Sequence, residues 1–222
     1  LPAIGKTIET ITIEDLAPID EFHIGGQLAT DSLLNQVNFT KNSCLLDVGC
    51  GLGGAARYVA KKYKHRGVGI DLTAEYIDTG NVLTRWLNLD EFVSLEQGSA
   101  LSMPYQPCSF DGGYMLHVGM NIKDKVALFN EVFKVLKPGS TFAIYDVMRQ
   151  SEGELKYPVP WATESNTSYL STPQQYVQAL ENTGFNVLKV TNRRDFSLSF
   201  FKQLRSHSEI KVSPPPLGLH IL

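Results

Sequence analysis

The stretch from Cys44 to Ala60, CLLDVGCGLGGAARYVA, constrains the fold more than any other part of the sequence. An apolar run ends in an aspartate, a burst of glycines follows, and small and aromatic residues come next at helical spacing. A strand, a glycine-rich turn and a helix in this order bind nucleotide-like ligands at the carboxyl edge of a parallel sheet. The stretch therefore predicts such a ligand and leaves three candidates: a hydride carrier such as NAD, a nucleoside triphosphate, or S-adenosylmethionine.

The same alternation of strand and helix recurs along the middle of the chain. Helical patterns cover residues 54–64, 74–87 and 123–136, and Thr172-Pro173-Gln174-Gln175 is a capping box that starts a further helix. The strand-like runs are CLLDV (44–48), GVGIDL (67–72), FVSLEQ (92–97), FDGGYML (110–116), TFAIYDV (141–147) and FNVLKVTN (185–192). The alternation predicts an α/β fold, a doubly wound and mostly parallel sheet with helices on both faces.

Two segments lie outside this alternation, residues 1–36 before the first strand and residues 149–171 after the fifth. The second is rich in Pro, Ser, Thr and aromatic residues. Because a parallel sheet binds its ligand at the carboxyl ends of its strands, we expect both segments to form lids over that edge. The length suits one domain, which is predicted to span residues 1–222.

The composition argues against several classes of partner. The formal net charge is −3, whereas nucleic-acid binding needs a concentrated basic surface, so no nucleic-acid partner is expected. No apolar run approaches the about 20 residues of a membrane span, so no membrane contact is expected. Three scattered cysteines without paired metal-ligand spacing predict no metal site and a reducing, cytoplasmic location. The oligomeric state is left open.

The glycines alone fit two kinds of cofactor. The pattern G-x-G-x-x-G from Gly49 is the dinucleotide fingerprint. The pattern D-x-G-x-G-x-G from Asp47 is the loop that methyltransferases use for S-adenosylmethionine. Asp71, at the end of the second strand, suits both, because its oxygens would accept hydrogen bonds from ribose hydroxyls. A triphosphate loop is excluded, since two alanines follow Gly54 where Lys and Ser/Thr would be needed.

Asp47 separates the two cofactors that the glycines leave open. A carboxylate at the strand end beside the loop would repel a pyrophosphate. It would favour the α-ammonium of a methionine moiety, directly or through water. The run GSALSMPY (98–105) follows the third strand, where an adenine amino group could bind. Asp47 therefore favours S-adenosylmethionine.

On these residues the chain resembles the class I S-adenosylmethionine-dependent methyltransferases. The motif is DVGCGLGG followed by Ala-Arg-Tyr, and FHIGGQLAT before the first strand is similar to their leader. The similarity is to the small-molecule branch, such as the sarcosine/dimethylglycine and phosphoethanolamine N-methyltransferases. It implies a Rossmann-like methyltransferase fold, S-adenosyl-L-methionine as cofactor, and methyl transfer to a small-molecule acceptor, an amine nitrogen or a hydroxyl.

The resemblance also implies which residues bind the cofactor. The leader would contact the methionine end, the glycine loop would cradle it, and residues after the second, third and fourth strands would contact the ribose and adenine. These residues are Phe22, His23, Asp47, Gly49, Gly51, Asp71, Leu72, Ser99, Ala100 and Leu116.

A candidate base follows the fourth strand. His117 has a pKa of roughly 6.5 in free form, which suits a general base, and it is predicted to contact the substrate. The resembled enzymes carry Asp, then His four residues later; here the matching positions hold His117 and Asn121. Asn121 and Trp161 are also predicted substrate contacts, the latter through cation–π attraction. Two alternatives stay open: an NAD-dependent oxidoreductase, and a cofactor-binding protein without catalysis.

Overall fold

The computed structural model describes Leu1 and residues 5–210, with side chains through residue 203. Five parallel strands form one sheet in the order β3-β2-β1-β4-β5. The strands are β1 (Cys44–Val48), β2 (Arg66–Asp71), β3 (Val93–Gln97), β4 (Phe110–Leu116) and β5 (Leu136–Tyr145). The chain winds outward from β1 in both directions, so β1 and β4 are neighbours at the switch point where such sheets bind ligands. The predicted doubly wound α/β fold is confirmed.

Seven helices are described. Helices α1 (Ile13–Asp20) and α2 (Gly26–Leu34) precede the sheet. Helices α3, α4 and α5 connect strands, and α6 and α7 follow β5. Their bounds are α3 (Gly54–Tyr63), α4 (Ala74–Trp86), α5 (Lys125–Val135), α6 (Pro173–Asn182) and α7 (Arg194–Ile210). Because side chains alternate across a strand, Leu46 of β1 packs with α5 and α6, while Leu45 packs with α2 and α3 on the opposite face.

The helix boundaries follow the capping residues closely. The capping box at Thr172 and Gln175 is confirmed and begins α6 with a proline in its first turn. Helix α5 begins at Lys125, two residues later than predicted, because Asp124 caps it and accepts a hydrogen bond from Ala127 N at 2.9 Å. Thr73 occupies the N-cap position of α4, but its side chain makes no capping hydrogen bond.

The prediction of a strand over residues 185–192 is wrong. This segment has no regular secondary structure and pairs with no strand among the described residues. Leu188 and Val190 are 80% and 62% exposed, so the second half of the apolar pattern covers no surface, whereas Phe185 packs against the rings of Phe133 and Phe142. A strand needs a neighbour for its backbone hydrogen bonds, and residues 185–192 have none along the edge of β5.

The segment instead carries the chain back to the leader, residues 5–36. Lys189 donates to Gln36 Oε1 at 2.7 Å, and Arg193 donates to Ser32 Oγ at 2.5 Å. The ring of Phe196 in α7 occupies the space that a side chain at Gly25 would need. Residues 189–196 therefore contact α2 and the residues that flank it.

The segment 149–171 contains turns and one short 3-10 helix, Ser165–Thr167. Tyr169 N donates to Met120 O at 2.7 Å, which ties the segment to the loop after β4. None of the described helices is long and apolar enough to cross a membrane.

Candidate cofactor and substrate site

The glycine loop leaves β1 in a conformation that needs glycine. Gly49, Gly51 and Gly53 have φ values of 72°, 53° and 79°, in the left-handed region. Hydrogen bonds to β2 fix the start of the loop, because Gly49 N and Cys50 N both donate to Ile70 O, at 2.8 and 3.1 Å. A Cβ on Gly49 would collide with Val118, whereas one on Gly51 would meet nothing within 4 Å. Gly51 therefore faces open space, as a loop that receives a ligand must.

Asp71, at the end of β2, closes one side of the loop. Its Oδ2 accepts from Gly51 N and its Oδ1 accepts from Thr73 N, both at 2.9 Å. The side chain is half-buried and its position is fixed by the two backbone donors. Each carboxylate oxygen has a further lone pair, so the group can still accept hydrogen bonds from two vicinal hydroxyls.

Asp47 is the buried charge behind the loop. It is 2% exposed and its Oδ2 has no hydrogen-bond partner. Burial raises the pKa of this carboxyl to about 7, and the nearby Asp71 carboxylate acts in the same direction. A buried acceptor of this kind is stabilised by an arriving cation or donor and destabilised by an anion. The residues present therefore fit the ammonium of S-adenosylmethionine and do not fit a pyrophosphate.

An ion pair that the sequence reasoning missed attaches the leader to α3. Arg57 Nη2 donates to Asp20 Oδ2 at 2.6 Å, and both side chains are buried. Arg57 Nη1 also donates to Gly80 O and Thr84 Oγ1, so the guanidinium joins α1, α3 and α4. The signal in the sequence was a lone cation on the apolar face of α3, which needs a buried anion.

Glu21 is a further residue that sequence reasoning missed. Its side chain is buried between the leader and the sheet, 3.4 Å from His23 Nε2. Thr30 Oγ1 donates to Oε2 at 3.3 Å, while Oε1 has no partner. Burial, together with the Asp20 and Asp47 carboxylates, raises the pKa of Glu21 to about 8.

Three aromatic rings meet where β4 and β5 end. His117 lies 4.9 Å from Tyr145 and 6.1 Å from His23, measured between ring centroids. Burial lowers the pKa of His117 to about 3 and that of His23 to about 4, so both imidazoles are neutral. His117 has φ 56°, which turns the chain sharply away from β4. The Tyr145 hydroxyl is buried without a partner. The structure thus brings two predicted residues, His23 and His117, together.

The remaining predicted cofactor contacts follow the strand ends or lie on the leader. Leu72 is 72% exposed at the end of β2, and Phe22 is 54% exposed on the leader. Large apolar side chains with this exposure are available to cover a ligand. Ser99, Ala100 and Leu116 are half-buried after β3 and at the end of β4. Their roles as cofactor contacts stay predictions.

Asn121 and Trp161 form one hydrogen-bonded unit. Asn121 Nδ2 donates to Trp161 O and to Thr167 O, both at 2.8 Å. Trp161 Nε1 donates to Ser168 Oγ at 3.0 Å. Asn121 therefore holds the 149–171 segment in place, and substrate contact by either residue stays a prediction.

The described residues contain no group of His, Cys, Asp or Glu side chains that could hold a metal ion. Cys44, Cys50 and Cys108 are free thiols.

Comparison with known proteins agrees with this geometry. Residues 46–144 match the family model described as a methyltransferase domain. This span runs from β1 to the end of β5 and contains the glycine loop, Asp71 and His117. The sheet and its loop thus define a cofactor-binding α/β domain, and that part of the chain is a methyltransferase domain of this family.

Two curated relatives illustrate the range of the similarity. Phosphoethanolamine N-methyltransferase 1 of Arabidopsis thaliana is 33% identical over 182 residues, which are 81% of this chain and 36% of the relative. Sterol 24-C-methyltransferase of Candida albicans is 27% identical over 163 residues, 70% of this chain and 43% of the relative. The chain spans between a third and a half of the length of these relatives.

A solved structure shows the same fold. Phosphoethanolamine N-methyltransferase 2 of Haemonchus contortus, in complex with S-adenosyl-L-methionine, superposes with a TM-score of 0.72 at 20% identity. The match covers 94% of this chain and 51% of that protein. At this identity the likeness establishes the Rossmann-like fold.

Proposed function

We propose that the protein transfers the methyl group of S-adenosyl-L-methionine to a small-molecule acceptor, at an amine nitrogen or a hydroxyl. The observation that carries the proposal is the buried Asp47 carboxylate behind the glycine loop, with one oxygen lacking a partner. This carboxylate suits the α-ammonium of the cofactor, whereas an NAD-dependent oxidoreductase would have to place a pyrophosphate beside it. The curated relatives named above are methyltransferases, which supports the same choice.

The cofactor, when bound, supplies a methyl group on a sulfonium that is already a strong electrophile. The chain's own residues then have to position the acceptor and exclude water. Gly49 and Gly51 would cradle the methionine end, and Asp71 would hold the ribose. Phe22, His23, Leu72, Ser99, Ala100 and Leu116 would complete the cofactor contacts.

His117 is the proposed general base. Its ring is neutral and has a free nitrogen lone pair. Because burial lowers its pKa to about 3, the ring is a weaker base in the free protein than the free imidazole on which the prediction was based. The position of the ring beside Tyr145 and His23 supports this role. Asn121 and Trp161 would line the acceptor pocket from the lid side.

The chain organisation is also part of the proposal. Residues 1–222 would form one domain, with 1–36 and 149–171 as lid segments; residues 211–222 lie outside the described part. Asn121 and Tyr169, which tie 149–171 to the carboxyl edge, support the second lid. Three free thiols support a cytoplasmic location, and the net charge of −3 supports the absence of a nucleic-acid partner.

The proposal is tested by an acceptor screen with S-adenosylmethionine labelled in its methyl group. We expect label to reach at least one small amine or hydroxyl compound. His117→Asn, which tolerates the positive φ, should lower kcat about 100-fold or more and change cofactor affinity less than about threefold. His65→Asn, at the opposite edge of the sheet, is the control and should retain activity. Cofactor binding without transfer to any acceptor would instead identify a non-catalytic binding protein.

A further inference from the structure

The layer between the leader and the sheet contains more buried carboxylates than cations. Asp20 and Glu21 come from the leader side and Asp47 from β1, and all three are buried. Arg57 is the cation that faces them, and it is engaged by Asp20 at 2.6 Å. Glu21 Oε1 and Asp47 Oδ2 have no hydrogen-bond partner. Among the described residues, these three carboxylates thus share one cation, and the layer lacks the positive charge that would balance Glu21 and Asp47.

The neighbours of Glu21 do not supply that charge. Thr30 donates one hydrogen bond to Oε2, and His23 Nε2 lies within hydrogen-bond distance of Gly26 O at 2.9 Å. Burial lowers the pKa of His23 to about 4, so the ring is neutral. Asp47 on β1 acts on Glu21 as a like charge, and Tyr114, its cross-strand neighbour on β4, carries no positive charge, so neither residue supplies a cation.

Two like charges in a buried layer cannot both ionise without a counter-ion, so the free protein must hold a proton there. The environment favours Glu21 for that proton, since burial, Asp20 and Asp47 together raise its pKa to about 8. A ligand that brings a cation into the layer would stabilise the ionised carboxylate, and the proton would then be released.

We propose that Glu21 is a second anionic contact for the α-ammonium of S-adenosylmethionine, beside Asp47, and that the cofactor binds with release of the proton that Glu21 holds in the free protein. The inference rests on the proposed function. The proton passes from the Glu21 carboxyl to the buffer, and an ammonium N–H replaces it as donor to the carboxylate. Cofactor affinity consequently rises with pH until Glu21 is ionised in the free protein.

The test is a calorimetric titration of the whole chain with S-adenosylhomocysteine, which has the ammonium but no sulfonium. Titrations at pH 7 in phosphate, HEPES and Tris, whose ionisation enthalpies differ, count the protons released. We expect about one proton for the wild type and clearly fewer for Glu21→Gln. At pH 8.5 the variant should bind about tenfold more weakly or worse, and at pH 6 the difference should shrink.

Two controls test whether the proton release depends on the ammonium of the ligand and on Glu21. Methylthioadenosine keeps the nucleoside and the sulfur but lacks the amino acid, so it should bind without proton release and equally to both proteins. Glu14→Gln removes an exposed carboxylate of α1, whose Oε1 lies 3.6 Å from Lys61 Nζ, and should leave affinity and proton count unchanged.

Binding of S-adenosylhomocysteine by the wild type with no proton release, or with the same release and affinity in Glu21→Gln, overturns the inference and leaves the proposed function intact. The wild-type proton count needs no variant, so the test holds even if Glu21→Gln folds poorly. Absence of any binding at millimolar ligand overturns the proposed function and the inference with it.

Discussion

Among single residues, Asp47 is the strongest indication of which cofactor the protein binds. The sequence placed it at the end of a strand beside a glycine loop, and the structure shows it buried with an oxygen unpartnered. An unpaired buried carboxylate costs the free protein stability, and a bound ammonium would recover it. The same group would therefore have opposite effects on folding and on binding.

The variant Asp47→Asn tests whether this carboxylate lowers the stability of the free protein and raises its affinity for the cofactor. We expect affinity for S-adenosylhomocysteine to fall about 10- to 100-fold, because a charge-assisted hydrogen bond is lost. The free energy of unfolding of the free protein at pH 8 should stay the same or rise, because the buried charge is gone. Calorimetry and urea unfolding measure the two quantities. Equal affinity in wild type and variant would contradict the assigned role.

The neutral histidines predict how stability responds to acid. His117 has a folded-state pKa of about 3, lowered by burial, against about 6.5 in the unfolded chain. The unfolded chain therefore binds a proton that the folded protein does not, and the contribution of His117 to stability is lost as pH falls below about 6.5.

Urea unfolding of wild type and His117→Asn at pH 7 and pH 5 isolates this contribution, because Glu21 and Asp47 act in the opposite direction over the same range. The wild type should lose more stability than the variant between the two pH values. An equal loss in both proteins would show that His117 is protonated in the folded state or exposed.

At this scale, sequence reasoning can place residues whose position depends on local spacing, and the roles proposed for them stay predictions. Asp47, Gly51 and Asp71 are fixed by their distance from strand ends, which a pattern can reveal. Glu21 and Arg57 were missed because their importance depends on which segment the leader packs against. Arg57 and Asp20 are separated by 37 residues, and only the tertiary fold brings them within 2.6 Å.

At the scale of elements, the five strands of the sheet and the helices over residues 54–64, 74–87 and 123–136 were predictable. Apolar runs and capping residues define most of them to within one or two residues, as at Thr172, whereas β5 begins at Leu136, five residues before the predicted run. The leader helices α1 and α2 were not predicted. Both helices are short. Helix α1 is held by the ion pair between its Asp20 and Arg57 of α3, and by the packing of α1 on α3.

Arg57→Ala tests whether this ion pair attaches the leader. We expect a loss of about 3–5 kcal/mol in the free energy of unfolding, because Asp20 would be left buried and unpaired. Lys61→Ala on the same helix removes an exposed ion pair with Glu14 and should cost less than about 1 kcal/mol. Similar losses in the two variants would contradict a special role for Arg57.

At the scale of the whole molecule, the segment 185–192 shows where a local pattern is insufficient. Its alternating apolar residues predict a strand, but strand formation requires a partner, and β5 does not pair with it. Contacts of Lys189 and Arg193 with α2 direct the chain to the leader instead. Whether this segment forms a strand depends on the packing of the whole molecule, and a pattern of seven or eight residues carries no information about that packing.

Hydrogen–deuterium exchange distinguishes the two outcomes. Amides of residues 185–192 have no strand partner and should exchange within seconds, whereas those of β1 and β4 at the centre of the sheet should be the slowest. Protection of residues 185–192 equal to that of β5 would show that the segment pairs as a strand.

The buried carboxylate behind the glycine loop is expected to select S-adenosylmethionine over a dinucleotide. Parallel calorimetric titrations of the unaltered chain with S-adenosylhomocysteine and with NADH test it most directly. The structure predicts saturable binding of S-adenosylhomocysteine and none of NADH at millimolar concentration. Binding of NADH without binding of S-adenosylhomocysteine would contradict the claim.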